Sequence, residues 1–228
     1  RPDEIMALAD MSRDQAVDYL LRGVRSKPAT EPPAWVGDAM PAREARKTWS
    51  KAEKKAFKKT NRERWRLLQQ WWAREMLTTP SPLTERLVLF WHNHFTTSFD
   101  GVKWVPYLYN QNAVFRRHAA GSLRDLLMAM VVDPAMLFYL DGRRNRAKKP
   151  NENFARELLE LFTMGEGKGY TERDIREAAR ALSGLSVDPA SSKVMFRSKQ
   201  HDRGQKEFLG QRGAFGAPEV VDVILDHD

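Results

Sequence analysis

Apolar residues recur at helical spacing along most of the chain, and this pattern predicts a mostly helical protein. The longest segment without proline or glycine, residues 42–78, carries four of them at intervals of three or four: Trp65, Leu68, Trp72 and Met76. Such spacing places apolar side chains on one face of an α-helix. We therefore expect one long helix here, with a break near Thr60 and Asn61.

Further helices are marked by capping residues, because Ser, Thr and Asp side chains accept hydrogen bonds from free backbone N–H groups at helix starts. These signals predict helices over 13–22, 82–95, 107–119, 122–132, 134–140, 151–164, 172–183 and 219–225. Two short β-prone runs, 194–196 and 208–209, flank a polar loop and predict a small hairpin. A proline-rich linker, 27–41, follows the first of the helices.

The predicted fold is all-α, with about eight to ten helices and a small C-terminal β-hairpin. We divide it into an N-terminal helical arm, 1–80, and a helical core domain, 81–228, which looks truncated at its C-terminal end. The helix 151–164 is expected at the centre. The predicted core residues are Trp91, Phe95, Phe154, Leu158, Leu161 and Phe162.

Composition excludes several function classes. The chain has no cysteine, so disulfides, thiolate catalysis and cysteine-ligated metal clusters are ruled out. No apolar stretch approaches the roughly 20 residues that a transmembrane helix needs. The first ten residues also lack the pattern of a signal peptide.

The net charge of +8 belongs to one segment, since Arg43 to Glu75 holds twelve Lys or Arg and four Glu. Lysine and arginine supply salt-sensitive contacts to phosphates, so this segment is a candidate for binding nucleic acid or an anionic surface. Its tryptophans, however, fall on the apolar stripe, which favours a core role for them and a simply solvated basic face.

Five ordered motifs carry a family resemblance. They are Pro150 to Gly165 followed by Tyr170-Thr171-Glu172, Phe90 to Phe95, Asp133 to Leu137 with Leu140-Asp141, Ala178 to Gly184, and His201-Asp202 with Lys206 and Leu209-Gly210. From about residue 83 onward, the chain resembles the bacterial family called domain of unknown function 1800. The resemblance implies frequent export and a protein partner from a neighbouring family of unknown function, numbered 1501, but no reaction.

The helix 151–164 has the densest polar stripe, made of Asn153, Arg156, Glu157 and Glu160. One interpretation is a solvated face in which Arg156 pairs with Glu152 and Glu160 four residues away. The other is a covered stripe, whose carboxylates would need Arg156, a histidine or a cation as partner. We favour an internal structural network over a metal or catalytic site.

Three histidines are the remaining candidates. His92 and His94 lie two residues apart, so on a helix they face opposite ways and cannot chelate one ion. We expect core histidines there, with His92 the better candidate to meet Glu157 and Glu160. His201 and Asp202 lie in a polar loop that forms either an ordinary turn or, if it folds over the helix, the rest of a mixed ligand set.

Three functions follow. The first is a structural, assembly or interaction protein of the bacterial envelope or exterior. The second is a metal-assisted hydrolase or oxidoreductase, with a divalent metal held by some of His92, His94, Glu157, Glu160, His201 and Asp202, and with Arg156, Glu157, Glu160 and His201 as candidate catalytic groups. The third is binding of nucleic acid or another anionic polymer through 43–75.

Overall fold

The computed structural model describes residues 2–227 and confirms the mostly helical fold with only short strands near the C-terminus. Its described part forms twelve α-helices. They are α1 Pro2–Ala9, α2 Arg13–Arg22, α3 Arg43–Thr48, α4 Lys51–Thr78, α5 Pro82–His94, α6 Phe99–Val102, α7 Val105–Arg117, α8 Leu123–Val131, α9 Pro134–Tyr139, α10 Asn153–Glu157, α11 Glu172–Ala181 and α12 Ala217–Leu225. A π-helical segment, Leu158–Thr163, continues α10.

Four of the predicted helix starts are confirmed by their hydrogen bonds. The side chains of Ser12, Ser122, Asp133 and Thr171 each accept a backbone N–H three residues later. Ser81 precedes α5 as expected, but its hydroxyl pairs with that of Thr84 instead of capping the backbone.

The predicted long helix breaks earlier than expected. Ser50 and Glu53 form a reciprocal capping box that starts α4, while residues 60 and 61 lie inside that helix. Asn61 does not disrupt it, because its side chain donates to the Lys103 carbonyl and accepts from the Val105 N–H. A tertiary partner therefore takes up the polar group that would otherwise compete with the helix backbone.

The core is centred on α5, α7, α8, α9 and the α10–π segment, and α4 adds Leu68 and Trp71 to the same cluster. Of the predicted core residues, Phe95, Phe154, Leu158 and Phe162 are buried, whereas Trp91 is half-buried against the core. Leu161 was wrongly predicted, since it is 59% exposed. A π-helix has more residues per turn than an α-helix, which rotates Leu161 off the apolar face.

The hairpin pairing also differs from the prediction. Strand β2, Val194–Phe196, pairs antiparallel with β1, Leu185–Val187. Strand β3, Lys206–Phe208, pairs with β4, Gln211–Gly213. Each β-prone run thus pairs with a strand that is nearer in sequence than the other run.

Gly184 links α11 to β1 in a backbone conformation that favours glycine, with φ of +87°. A Cβ atom here would stand 2.9 Å from the Arg197 carbonyl oxygen, so no side chain fits without displacement. Among residues 2–227, no helix is long and apolar enough to cross a bilayer. The division of the chain at residue 80 stays a prediction.

Candidate functional site

The polar stripe of the 151–164 segment forms a half-buried ion-pair network around Arg156. Its guanidinium donates to Glu172 at 2.7 and 2.8 Å and to Glu160 at 3.1 Å, and Glu152 lies 3.6 Å away. The hydrogen bonds to Glu172 and then to Glu160 raise the pKa of Arg156. The predicted pairs four residues apart are therefore present, and Glu172 is an additional partner that the stripe alone did not reveal.

Glu157 is set apart from this network. The structure gives its carboxylate no hydrogen bond or ion pair within 2–227, although it is half-buried. Burial first, and then the neighbouring charge of Glu160, raise the pKa of Glu157, while Arg156 opposes them. The raised pKa makes Glu157 a weaker acid than an exposed glutamate. Its carboxylate forms no hydrogen bond or ion pair with a histidine among residues 2–227.

His92 lies in a separate buried network between α4, α5 and α7. Arg116 is fully buried and pairs with Glu85 through two hydrogen bonds of 2.7 and 2.9 Å. It also donates to the side-chain oxygen Oδ1 of Asn112 at 2.8 Å. The Asn112 amide nitrogen therefore faces the His92 Nε2, 3.1 Å away, and donates to it. His92 is consequently neutral, with its proton on Nδ1.

The ring of His92 is enclosed by aromatic neighbours. Trp72 and Phe115 lie with their ring centroids 4.6 and 4.7 Å from it. Burial and, second, the charge of Arg116 lower the pKa of His92 to about 4. The expectation that His92 meets Glu157 and Glu160 is therefore not met, because the partner residues of its ring come from α4 and α7.

His94, rather than His92, faces the polar segment, and it contacts backbone. Its Nε2 lies 2.9 Å from the Phe162 carbonyl oxygen, on a ring that packs edge-on against Phe95. This carbonyl is available because the π segment ends at Thr163, and the last carbonyls of a helix have no partner within it. His94 therefore ties α5 to the π segment.

The loop residues His201 and Asp202 fasten α11 to the hairpins. His201 Nδ1 lies 2.9 Å from the Ser183 carbonyl oxygen, and Asp202 accepts two hydrogen bonds from Arg180 at 2.8 and 3.1 Å. The hydrogen bonds from Arg180 contribute most to lowering the pKa of Asp202. The loop therefore packs on α11 rather than completing a set with the Glu157 and Glu160 carboxylates.

The predicted ligands thus lie in separate environments, and within residues 2–227 no group of three or more His, Asp or Glu side chains could hold a metal ion. The binding of a divalent metal and a metal-assisted reaction stay predictions, and the described residues offer no set of ligands for them. Each candidate except Glu157 already has a protein partner that explains its position.

A basic groove along α4 is the surface that the charge pattern did identify. It is lined by seven Lys and Arg side chains with Glu63, Trp65 and Phe99, namely Lys51, Lys54, Lys55, Lys58, Lys59, Arg62 and Arg66. At 100° per residue these seven positions fall on one side of the helix. Sequence reasoning missed Phe99, which comes from α6 and stacks on Trp65 with ring centroids 5.5 Å apart.

A protein-family model described as "Protein of unknown function (DUF1800)" matches residues 1–228. The chain belongs to this family. The match extends to the N-terminal helices, beyond the region from residue 83 in which the motifs were recognised. No curated protein and no solved structure matches the chain.

Two of the motifs that carry the family resemblance contact each other in the structure. Arg180 of the 178–184 motif pairs with Asp202 of the 201–210 motif. Lys206 is fully buried, and its Nζ donates to the carbonyl oxygens of Asp202 and Gly204 at 2.7 and 3.0 Å. These polar residues therefore hold one loop closed, which is a structural role.

Proposed function

We propose that this DUF1800 chain is an interaction protein that binds an anionic polymer along the basic groove of α4. The supporting observation is that most of the groove cations lack an ion-pair partner. Of the seven, within the described chain Lys59 alone forms an ion pair, with Glu63 at 4.0 Å. Elsewhere on the protein, arginines such as Arg156 and Arg180 are paired at hydrogen-bonding distance.

The geometry of the groove suits a linear ligand. Residues 51 to 66 extend for about 22 Å at the rise of an α-helix. A polyanion that lies along this stripe would release counterions at each contact, which makes its binding strongly salt-dependent. The exposed edge of the Trp65–Phe99 pair offers an apolar contact within the same groove. The envelope or exterior location implied by the family resemblance is part of this proposal.

The test uses two variants with the same net charge. The stripe variant replaces four groove cations by glutamine: Lys51, Lys55, Lys58 and Arg62. The control variant replaces four exposed cations outside the groove by glutamine: Arg13, Lys168, Lys193 and Arg203. Glutamine is a good helix former, so both variants should fold, which circular dichroism checks.

Both variants and the native chain are eluted from immobilised heparin with a NaCl gradient. We expect the stripe variant to elute at much lower salt than the control, because contacts that release counterions have been removed only from it. Equal elution of the two variants would show that net charge alone causes retention, and the proposal would be abandoned.

A further inference from the structure

A second basic cleft lies between α3, the segment that follows α9 and the β1–β2 hairpin. It has a volume of about 990 Å³, and among the described residues its walls carry eight Lys or Arg side chains and three carboxylates. Residues from α6 line it on one side, and Phe99 of the same helix lines the α4 groove. The two basic surfaces are therefore neighbours with different residues.

Positive charge is in excess within this cleft. Arg143 and Arg144 share one carboxylate, Asp141, at 3.6 and 3.2 Å. Burial first, then the charge of Arg144, and more weakly those of Arg43 and Arg46, lower the pKa of Arg143. Asp141 opposes these effects, but one carboxylate does not balance four arginines, so a bound anion would reduce their repulsion further.

Two hydrogen-bond donors at the cleft have no acceptor. They are the Nε of Arg46 and the Nε of Arg143, both shielded from solvent and without a partner among residues 2–227. The Tyr107 side chain beside them is fully buried, and its hydroxyl interacts with that of Ser192. Buried donors are almost always satisfied in folded proteins, so two unsatisfied arginine donors indicate a missing acceptor.

The Arg143 side chain is held in position before any ligand arrives. The Arg143 guanidinium lies over the ring of Phe138, 4.5 Å from its centroid, and contacts Asp141. Arg46 comes from α3, which is a different element. A site whose donors are fixed by other contacts binds with less loss of side-chain entropy.

We propose that this cleft binds a phosphate group. Guanidinium groups match phosphate oxygens through paired hydrogen bonds, and several arginines around one point suit a dianion better than a single carboxylate. The volume lies within the range of small-molecule pockets and exceeds what a bare ion fills, so an organic phosphate is the expected source. The apolar walls at Phe138 and Tyr139 would contact its organic part.

The test is isothermal titration calorimetry at constant ionic strength with two probes, inorganic phosphate and glycerol 3-phosphate. We expect saturable one-to-one binding. Arg143→Gln and, from another element, Arg46→Gln should each weaken it by about tenfold or more, as expected for loss of a charge-assisted hydrogen bond. Thermal melts show whether each variant is folded.

Arg13→Gln is the matched control, because it removes one exposed positive charge from outside both basic surfaces. Its affinity for both probes should stay within about twofold of the native value. An equal loss in Arg13→Gln and Arg143→Gln, or no saturable binding up to about 10 mM probe, would overturn the site. Tighter binding of glycerol 3-phosphate supports an organic phosphate, and equal binding supports the free ion.

This site does not depend on the proposed polymer binding. Heparin retention is tested by the α4 stripe variant, which leaves Arg46, Arg143 and Tyr107 in place. Phosphate binding is tested by variants that leave the α4 groove intact. Failure of one experiment therefore leaves the other result interpretable.

Discussion

Two buried groups should make the stability of this protein respond to pH in opposite directions, and they should nearly cancel. His92 has its pKa lowered from 6.5 to about 4, as described above. Asp133 caps α9 and is buried, and burial raises its pKa from 3.8 to about 7 against the opposing hydrogen bonds from Met136 and Gln111. The two groups are buried in different polar clusters.

The sign of each effect follows from which state binds the proton more tightly. In the unfolded chain His92 becomes protonated below about pH 6.5, whereas in the folded protein it stays neutral down to about pH 4. Acidification between these values therefore favours unfolding. In the folded protein Asp133 becomes protonated near pH 7, whereas in the unfolded chain it becomes protonated only near pH 3.8. Acidification between these values therefore favours folding. Between pH 7 and 5 each change in the free energy of unfolding amounts to about 2 kcal/mol.

The perturbation is His92→Gln, which retains an acceptor for the Asn112 amide but does not titrate. Urea denaturation at pH 5, 6 and 7, followed by tryptophan fluorescence, gives the free energy of unfolding. From pH 7 to pH 5, the His92→Gln protein should gain about 2 kcal/mol of stability relative to the native protein, because the destabilising His92 effect has been removed and the other groups titrate as before.

Two further variants make the reasoning falsifiable. Asp133→Asn keeps a capping oxygen and should lose about 2 kcal/mol relative to the native protein over the same range, since the stabilising Asp133 effect has been removed. His227→Gln replaces an exposed histidine and should follow the native profile. Parallel profiles for native protein and His92→Gln would show that His92 titrates normally, and the account of its burial would be wrong.

Two other predictions concern packing. Arg116→Leu should lower the free energy of unfolding by about 3–5 kcal/mol, because it leaves Glu85 as a buried, unpaired charge; chemical denaturation of the variant measures this, and a loss below 1 kcal/mol would contradict it. Leu158→Ala should cost about 2–5 kcal/mol and Leu161→Ala less than about 0.5 kcal/mol, because the π-helical turn buries the first and exposes the second. Equal losses in the two leucine variants would argue against the π-helical register.

Local signals in the sequence predicted much of the fold. The capping residues Ser12, Ser122, Asp133 and Thr171 mark helix starts, because a cap acts over three residues and needs nothing from the rest of the chain. The same locality explains the location of the basic groove, since i, i+3 and i+4 spacing alone aligns its cations on α4. The pairing of Arg156 with Glu152 and Glu160 was likewise readable from spacing.

Partners that are distant in sequence could not be inferred in this way. The sequence favoured His92 as the histidine beside the polar segment, but the packing of α5 directs His94 to the Phe162 carbonyl and His92 to Asn112. Leu161 was misplaced because an α-helical period was assumed through a π-helical turn. Each outcome depends on how helices pack, which no local pattern encodes.

The amino-acid sequence by itself therefore determined the helical class, the family and the stripe of positive charge, since these depend on composition, order and short-range spacing. The tertiary structure alone decided which polar groups meet: it paired Arg116 with Glu85, Arg180 with Asp202, and left the donors of the Arg46–Arg143 cleft without an acceptor. Side-chain pairing in three dimensions depends on long-range packing, and that packing decides whether a charge is satisfied or available to a ligand.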